Sequence, residues 1–168
     1  DFFVVPTATC RLLYVLVILT HERRRVLHVA VTAHPTAAWT AQQLREACPC
    51  DSAPRYLIHD RDSAFHAWRT TAEAIGIEEV LTAPRSPWQN GYCERAIGSI
   101  RRDCLDHVIV LGERHLLHLL RCYASYYNRS RTHLSLNKDA PTRRPVQTLG
   151  SIEARPVLGG LHHHYVRI

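Results

Sequence analysis

The first third of the chain alternates between short apolar blocks and polar turns. Residues 2–5 form one apolar block, a short strand, and Pro6 to Thr9 a turn. Arg11 to Thr20 is a nearly continuous run of Leu, Val and Ile, the pattern of a strand covered on both faces. His21-Glu22-Arg23-Arg24 is a polar turn, and Val26 to Thr32 completes an antiparallel meander of three strands. Beyond it the period lengthens. Thr36 is placed as an N-cap before a helix with Ala37, Ala41, Leu44 and Cys48 on its inner stripe, and Pro49 ends that helix. Arg55 to His59 is a fourth strand. Ala64 to Ile75 is predicted as a second helix on Phe65, Trp68, Ala72 and Ile75, stopped by Gly76. Glu78 to Thr82 is a fifth, short strand.

A loop punctuated by Pro84, Pro87 and Gly91 then leads into a helix reaching to about His107. Its stripe is Cys93, Ile97, Ile100, Cys104 and Val108, with Glu94, Gly98 and Arg101 on a neighbouring, more polar face. A last helix runs from about Glu113 to Asn128 over Leu116, Leu119, Leu120, Tyr123 and Tyr127. Periodicity fades after Arg129. The order of elements predicts one α/β domain with a mixed sheet over residues 1–145 and an irregular tail over 146–168, partly disordered from Ser151.

Composition and charge refine this picture. A length of 168 residues and a hydrophobic content of 46% suit a single domain with its own core. The formal net charge of +6 points to an anionic partner. The longest apolar run, Leu12 to Leu19, is too short to span a bilayer. Cys10, Cys48, Cys50, Cys93, Cys104 and Cys122 contain no C-x-x-C pair and read as reduced, mostly packed thiols of a cytosolic protein. The chain contains no methionine and starts at Asp1 inside a predicted strand, so it reads as an N-terminally truncated piece.

Three carboxylates stand out. Asp1 heads the first strand, Asp60 ends the fourth, and Glu94 lies in the first turns of the helix after the loop. Each has an ordinary reading alone: a chain end, a turn residue and a helix-dipole partner. Together, on two strands and a helix, they are candidates to converge on two Mg²⁺ (or Mn²⁺) ions, which take hard oxygen ligands and serve phosphodiester chemistry. Arg85, Ser86, Gln89, Asn90 and Tyr92 on the loop, with Arg95, Arg101 and Arg102 down the helix, are candidate DNA contacts.

These stretches resemble the integrase catalytic core of the DDE transposase and retroviral-type integrase superfamily, especially bacterial insertion-sequence transposases. The resemblance rests on Asp1-Phe2-Phe3-Val4-Val5-Pro6-Thr7, Asp60-Arg61-Asp62-Ser63-Ala64-Phe65 and Ser86-Pro87-Trp88-Gln89-Asn90-Gly91-Tyr92-Cys93-Glu94-Arg95, then on Tyr127 through Leu136. It covers roughly residues 1–145, and the 33 residues between Asp60 and Glu94 resemble the family's spacing. It implies an RNase H-like fold with a mixed five-stranded sheet and flanking helices. It implies a polynucleotidyl transferase that cuts a DNA strand to free a 3′-OH and joins that end to target DNA. Catalytic and metal-holding roles fall on Asp1, Asp60 and Glu94, with Asn90 and Arg95 beside the glutamate. The implied partners are element ends, target DNA and further copies of the chain, in a bacterial cytoplasm and on the nucleoid when DNA is bound.

Two positions depart from the family. Asp62 stands where Gly is usual and either assists a metal or faces solvent. Arg61 stands where Asn is usual and either touches DNA or pairs with Asp62. In the tail, Arg129, Arg131, His133, Lys138, Arg143 and Arg144 form a second basic cluster, facing DNA, a second protomer or solvent. His162-His163-His164 is a potential chelator. Two alternatives stay open: a metal-dependent nuclease of the same fold, and a decayed, non-catalytic DNA-binding remnant.

Overall fold

The computed structural model describes residues 1–49 and 53–168. Strands β1 (Phe2–Pro6), β2 (Leu12–Leu19) and β3 (Val26–Thr32) form an antiparallel sheet in the order β1-β2-β3. Phe3 pairs with Val15, and Val17 with Val29. β2 is apolar throughout because both faces are covered. Val15 and Val17 point, with Phe3, Val5, Val29 and Val31, to a core shared with helices α3 (Gly91–Asp103) and α4 (Glu113–Arg129). Leu16 and Ile18 point the opposite way, as the period of two requires, to a second core. That core includes Leu44 of α1 (Ala37–Ala47), Trp68 and Ala72 of α2 (Trp68–Ala74), and Leu57 of β4 (Tyr56–His59).

β4 pairs in parallel with β5 (Glu78–Leu81), Ile58 opposite Val80. The sequence-based expectation of a mixed five-stranded sheet is corrected here. The strands form a three-stranded sheet (β1-β2-β3), a parallel pair (β4-β5) and an antiparallel pair (β6-β7). Hydrophobic patterning reports which faces are covered, whereas a ladder needs directional N–H···O geometry that patterning does not encode. The first sheet and β4 meet through side chains: Phe2 stacks on Phe65 at 5.1 Å, and Phe65 packs against His59 at 5.1 Å.

The Thr36 cap forms as expected, its side chain accepting from the Trp39 amide at 3.2 Å. The expected helix from Ala64 to Ile75 instead begins as a 3₁₀ turn, Ser63–Phe65, separated from α2 by His66 and Ala67. Asp62 causes this start: its carboxylate accepts from the Ala64 amide at 2.8 Å. Similarly, α3 ends at Asp103 and gives way to a 3₁₀ turn, Leu105–His107. Cys48, Cys93 and Cys104 are buried, Cys122 is half-buried and Cys10 exposed, all as free thiols. Cys50 lies outside the described residues.

The tail is ordered where irregular chain was expected. β6 (Ile152–Val157) and β7 (His162–Arg167) form a hairpin, with Pro156 opposite His163. Its signal was weak because charged residues, a proline and three histidines fill positions where apolar residues usually alternate. The histidines dock it. His162 stacks flat on Tyr126 at 4.4 Å and meets the Asp103 carbonyl at 2.6 Å, and His164 meets Ser130 at 2.7 Å.

Candidate active site

Alternation along β1 decides where Asp1 points. Phe2 enters the α1–α2 core, so Asp1 and Phe3 lie on the α3 side of the sheet. The backbone nitrogen of residue 1 donates to the Val17 carbonyl at 3.0 Å and fixes the strand end. Asp60 follows the last residue of β4. Glu94 is in the first turn of α3, where the helix dipole favours a carboxylate. All three line one cavity of about 310 Å³, together with Arg61, Arg85, Ser86 and Asn90.

The carboxylates are held individually. Asp1 accepts from the Phe2 amide at 2.7 Å and from the Asn90 side-chain amide at 3.4 Å. Asp60 accepts from the Asp62 amide at 3.3 Å. Glu94 is exposed. Beneath them lies the Cys93 thiol, 3.8 Å from the Val17 carbonyl. Burial pushes that thiol up, the terminal amino group draws it back, and the Glu94 and Asp60 carboxylates add to the rise. Among the described residues no three His, Cys, Asp or Glu side chains stand close enough to hold a metal ion. By donor type, however, three carboxylates on one cavity suit a hard divalent cation.

Below Asp60, His59 is buried and bridges two elements. Its Nδ1 donates to the Asp60 carbonyl at 2.6 Å, and its Nε2 meets the Glu79 carboxylate of β5 at 2.9 Å. Trp68 packs edge-on against the same ring at 5.1 Å. Sequence reasoning gave His59 no role, because only the β4–β5 pairing brings Glu79 beside it. Arg61 donates to the Thr82 carbonyl at 3.2 Å. It therefore reaches across to Thr82, the residue after β5, rather than to Asp62, whose carboxylate caps the following turn.

The loop residues separate into two groups. Arg85 and Ser86 line the cavity, and Arg85 holds a left-handed backbone (φ 57°), a conformation costly for a side-chain-bearing residue. Gln89 braces the loop from within, accepting from the Ala83 amide at 2.7 Å. Tyr92 turns to the β2–β3 turn. Arg24 lies over its ring at 4.4 Å, Arg95 at 5.1 Å, and His21 meets its edge at 4.9 Å. The involvement of Arg24 and His21 was not legible in the sequence; it follows from the sheet register, which brings that turn to the start of α3. Arg101 and Arg102 are outside the cavity. Arg101 lies over Phe3 and donates to the Val4 carbonyl at 3.3 Å. Arg102 folds back over Gly98 of its own helix, where a Cβ would come within 3.1 Å of its guanidinium.

Residues 75–141 match the integrase core domain family. Over 148 residues the chain is 26% identical to the insertion element IS476 uncharacterized 39.2 kDa protein of Xanthomonas euvesicatoria, covering 85% of this chain and 42% of that one. The fold is similar to that of a chain in the simian T-cell lymphotropic virus intasome in complex with PP2A regulatory subunit B56 gamma. The TM-score is 0.65 at 14% identity, over 98% of this chain and 64% of that one. This protein thus spans less than two thirds of either relative. No helix among its described residues is long and apolar enough to cross a membrane.

Proposed function

We propose, from a chain whose residues 75–141 match the integrase core domain family, that the protein is the catalytic core of a DDE-type transposase. It cuts a DNA strand to free a 3′-OH and joins that end to target DNA. The observation that carries this reading is the meeting of Asp1, Asp60 and Glu94, from three separate elements, on one cavity edged by Arg61 and Arg85. Asp1, Asp60 and Glu94 would hold two Mg²⁺ or Mn²⁺ ions, which supply Lewis-acid charge and a more acidic water.

The chain's own groups position the reactants. Asn90 orients the Asp1 carboxylate. His59 fixes the backbone of Asp60 against β5. Arg61 and Arg85 bring positive charge to the phosphate undergoing exchange. In joining, the freed 3′-oxygen forms one P–O bond as another breaks, so no covalent enzyme intermediate is needed. Element ends, target DNA and further copies of the chain are the partners of this reading. Its setting is the bacterial cytoplasm, on the nucleoid when DNA is bound.

A second reading is favoured by the spacing of the carboxylates, which do not close into a three-ligand group. It is a DNA-binding domain of the same fold without catalysis. Calorimetric titration with Mn²⁺ separates the two. Binding by the parent chain that is lost in both Asp60→Asn and Glu94→Gln supports the enzyme. Binding absent from the parent, or indifferent to both substitutions, eliminates the metal site and leaves the second reading.

A further inference from the structure

A larger concavity, about 740 Å³, lies between the end of α4, the segment 137–147 and the β6–β7 hairpin. Its lining carries Arg129, Lys138, Arg144, Arg167 and His164, with Asp139 as its one carboxylate among the described residues. That carboxylate is already matched, 2.6 Å from the Arg23 guanidinium. Arg167 spends one N–H on the Gly150 carbonyl at 2.8 Å, a neutral partner that leaves its charge in place. Arg129, Lys138 and Arg144 are exposed and take part in no ion pair among the described residues. The groove therefore presents uncompensated positive charge on a concave surface, which suits an extended polyanion.

The β2–β3 turn links this groove to the carboxylate cavity. On one side of the turn, Arg24 rests on Tyr92 beside Arg95, one residue from Glu94. Arg24 also donates to the Ser135 hydroxyl, in the 3₁₀ turn Leu134–Leu136 that leads to Asn137 and Lys138 of the groove. On its other side, Arg23 donates to the Pro141 and Ala140 carbonyls, both at 2.8 Å, and fixes the segment that forms the groove wall. Arg24 reaches Tyr92 from a left-handed backbone (φ 58°), so the turn is held in an uncommon conformation to present it.

We propose that the Arg24–Tyr92–Arg95 stack and the tail groove form one track for the phosphate backbone of duplex DNA. DNA leaving the carboxylate cavity would follow it over the β2–β3 turn to Lys138 and Arg144. The partner rests on the proposed function; the track itself rests on charge and geometry, and its test is free of catalysis.

The test is fluorescence anisotropy of a labelled random-sequence duplex, in EDTA, across a series of salt concentrations, on the full chain. Neutralised phosphates set the slope of log affinity against log salt at about 0.9 per contact. Lys138→Ala/Arg144→Ala should lower that slope by about 2 and weaken binding about tenfold or more near 0.1 M salt. Arg24→Ala should lower it by about 1. Lys138 and Arg144 are exposed and Arg24 is half-buried, and a thermal melt of each variant establishes that it remains folded. Slopes unchanged in both variants overturn the track. A slope reduced by the tail substitutions alone overturns the link across the β2–β3 turn. Variants that alter sedimentation mass but not DNA affinity make the groove a contact between copies of the chain, and also overturn it. Because EDTA removes divalent ions, loss of metal binding at the carboxylates would leave this result intact.

Discussion

Asp62, Asn90 and His133 show how far one residue's role depends on what surrounds it. Asp62 looked like a spare acid beside Asp60; it caps a 3₁₀ turn and donates its own amide to the Asp60 carboxylate. Asn90, read as a residue for the DNA side of the loop, donates to the Asp1 carboxylate at 3.4 Å. His133 has its edge against Tyr127 at 4.7 Å, and burial, then the Arg131 charge, holds its pKa below 6.5. The sign follows from linkage. Below about pH 6.5 the unfolded chain takes up a proton that the folded chain resists, so stability is full above that pH and falls on acidification. Denaturant titrations at about pH 7.5 and about pH 5.5 should show His133→Gln losing less stability between the two than the parent. At this scale the sequence was informative about residue types and their spacing. Asp1, Asp60 and Glu94 do reach one cavity, but hydrogen-bond partners such as Glu79 and Thr82 come from pairings that no local pattern records.

Whole elements were more legible, because burial imposes a period on the chain. β3 matches its expected span from Val26 to Thr32, and α4 buries Leu116, Leu119, Leu120, Tyr123 and Tyr127 on the expected face. What the period omits is edge pairing and local capping, hence the separate β4–β5 pair and the broken start of α2. α4 has no side-chain cap at its N-terminus, so its place depends on its apolar face. Leu120 is 1% exposed, within the core shared by α3 and the sheet. Leu120→Ala should cost about 2–5 kcal/mol, read as a lower denaturation midpoint. Burial also pushes the neighbouring Cys104 thiol up to about 11, so it should resist alkylation until the chain unfolds.

At the scale of the molecule, one sheet separates two cores, and the site gathers along one side. The tail hairpin is joined to α4 through His162 and His164, with Leu158 of its connecting turn packed against the α3–α4 core. Its exposed apolar residues include Ile152, Tyr165 and Ile168. Substituting both histidines by alanine should release the hairpin. Limited proteolysis with mass readout should then cut within residues 146–168 sooner than in the parent, with the remainder resisting as before. The cavity, by contrast, needs the full span of the chain. Residues 1, 60 and 94 are far apart along the polypeptide, and each closure of a long loop comes late in folding. A chain still emerging from the ribosome, or one that has lost its sheet, has acidic side chains but no place where they meet. Whatever chemistry this cavity carries is therefore withheld until folding is finished, and it ceases as soon as the fold fails.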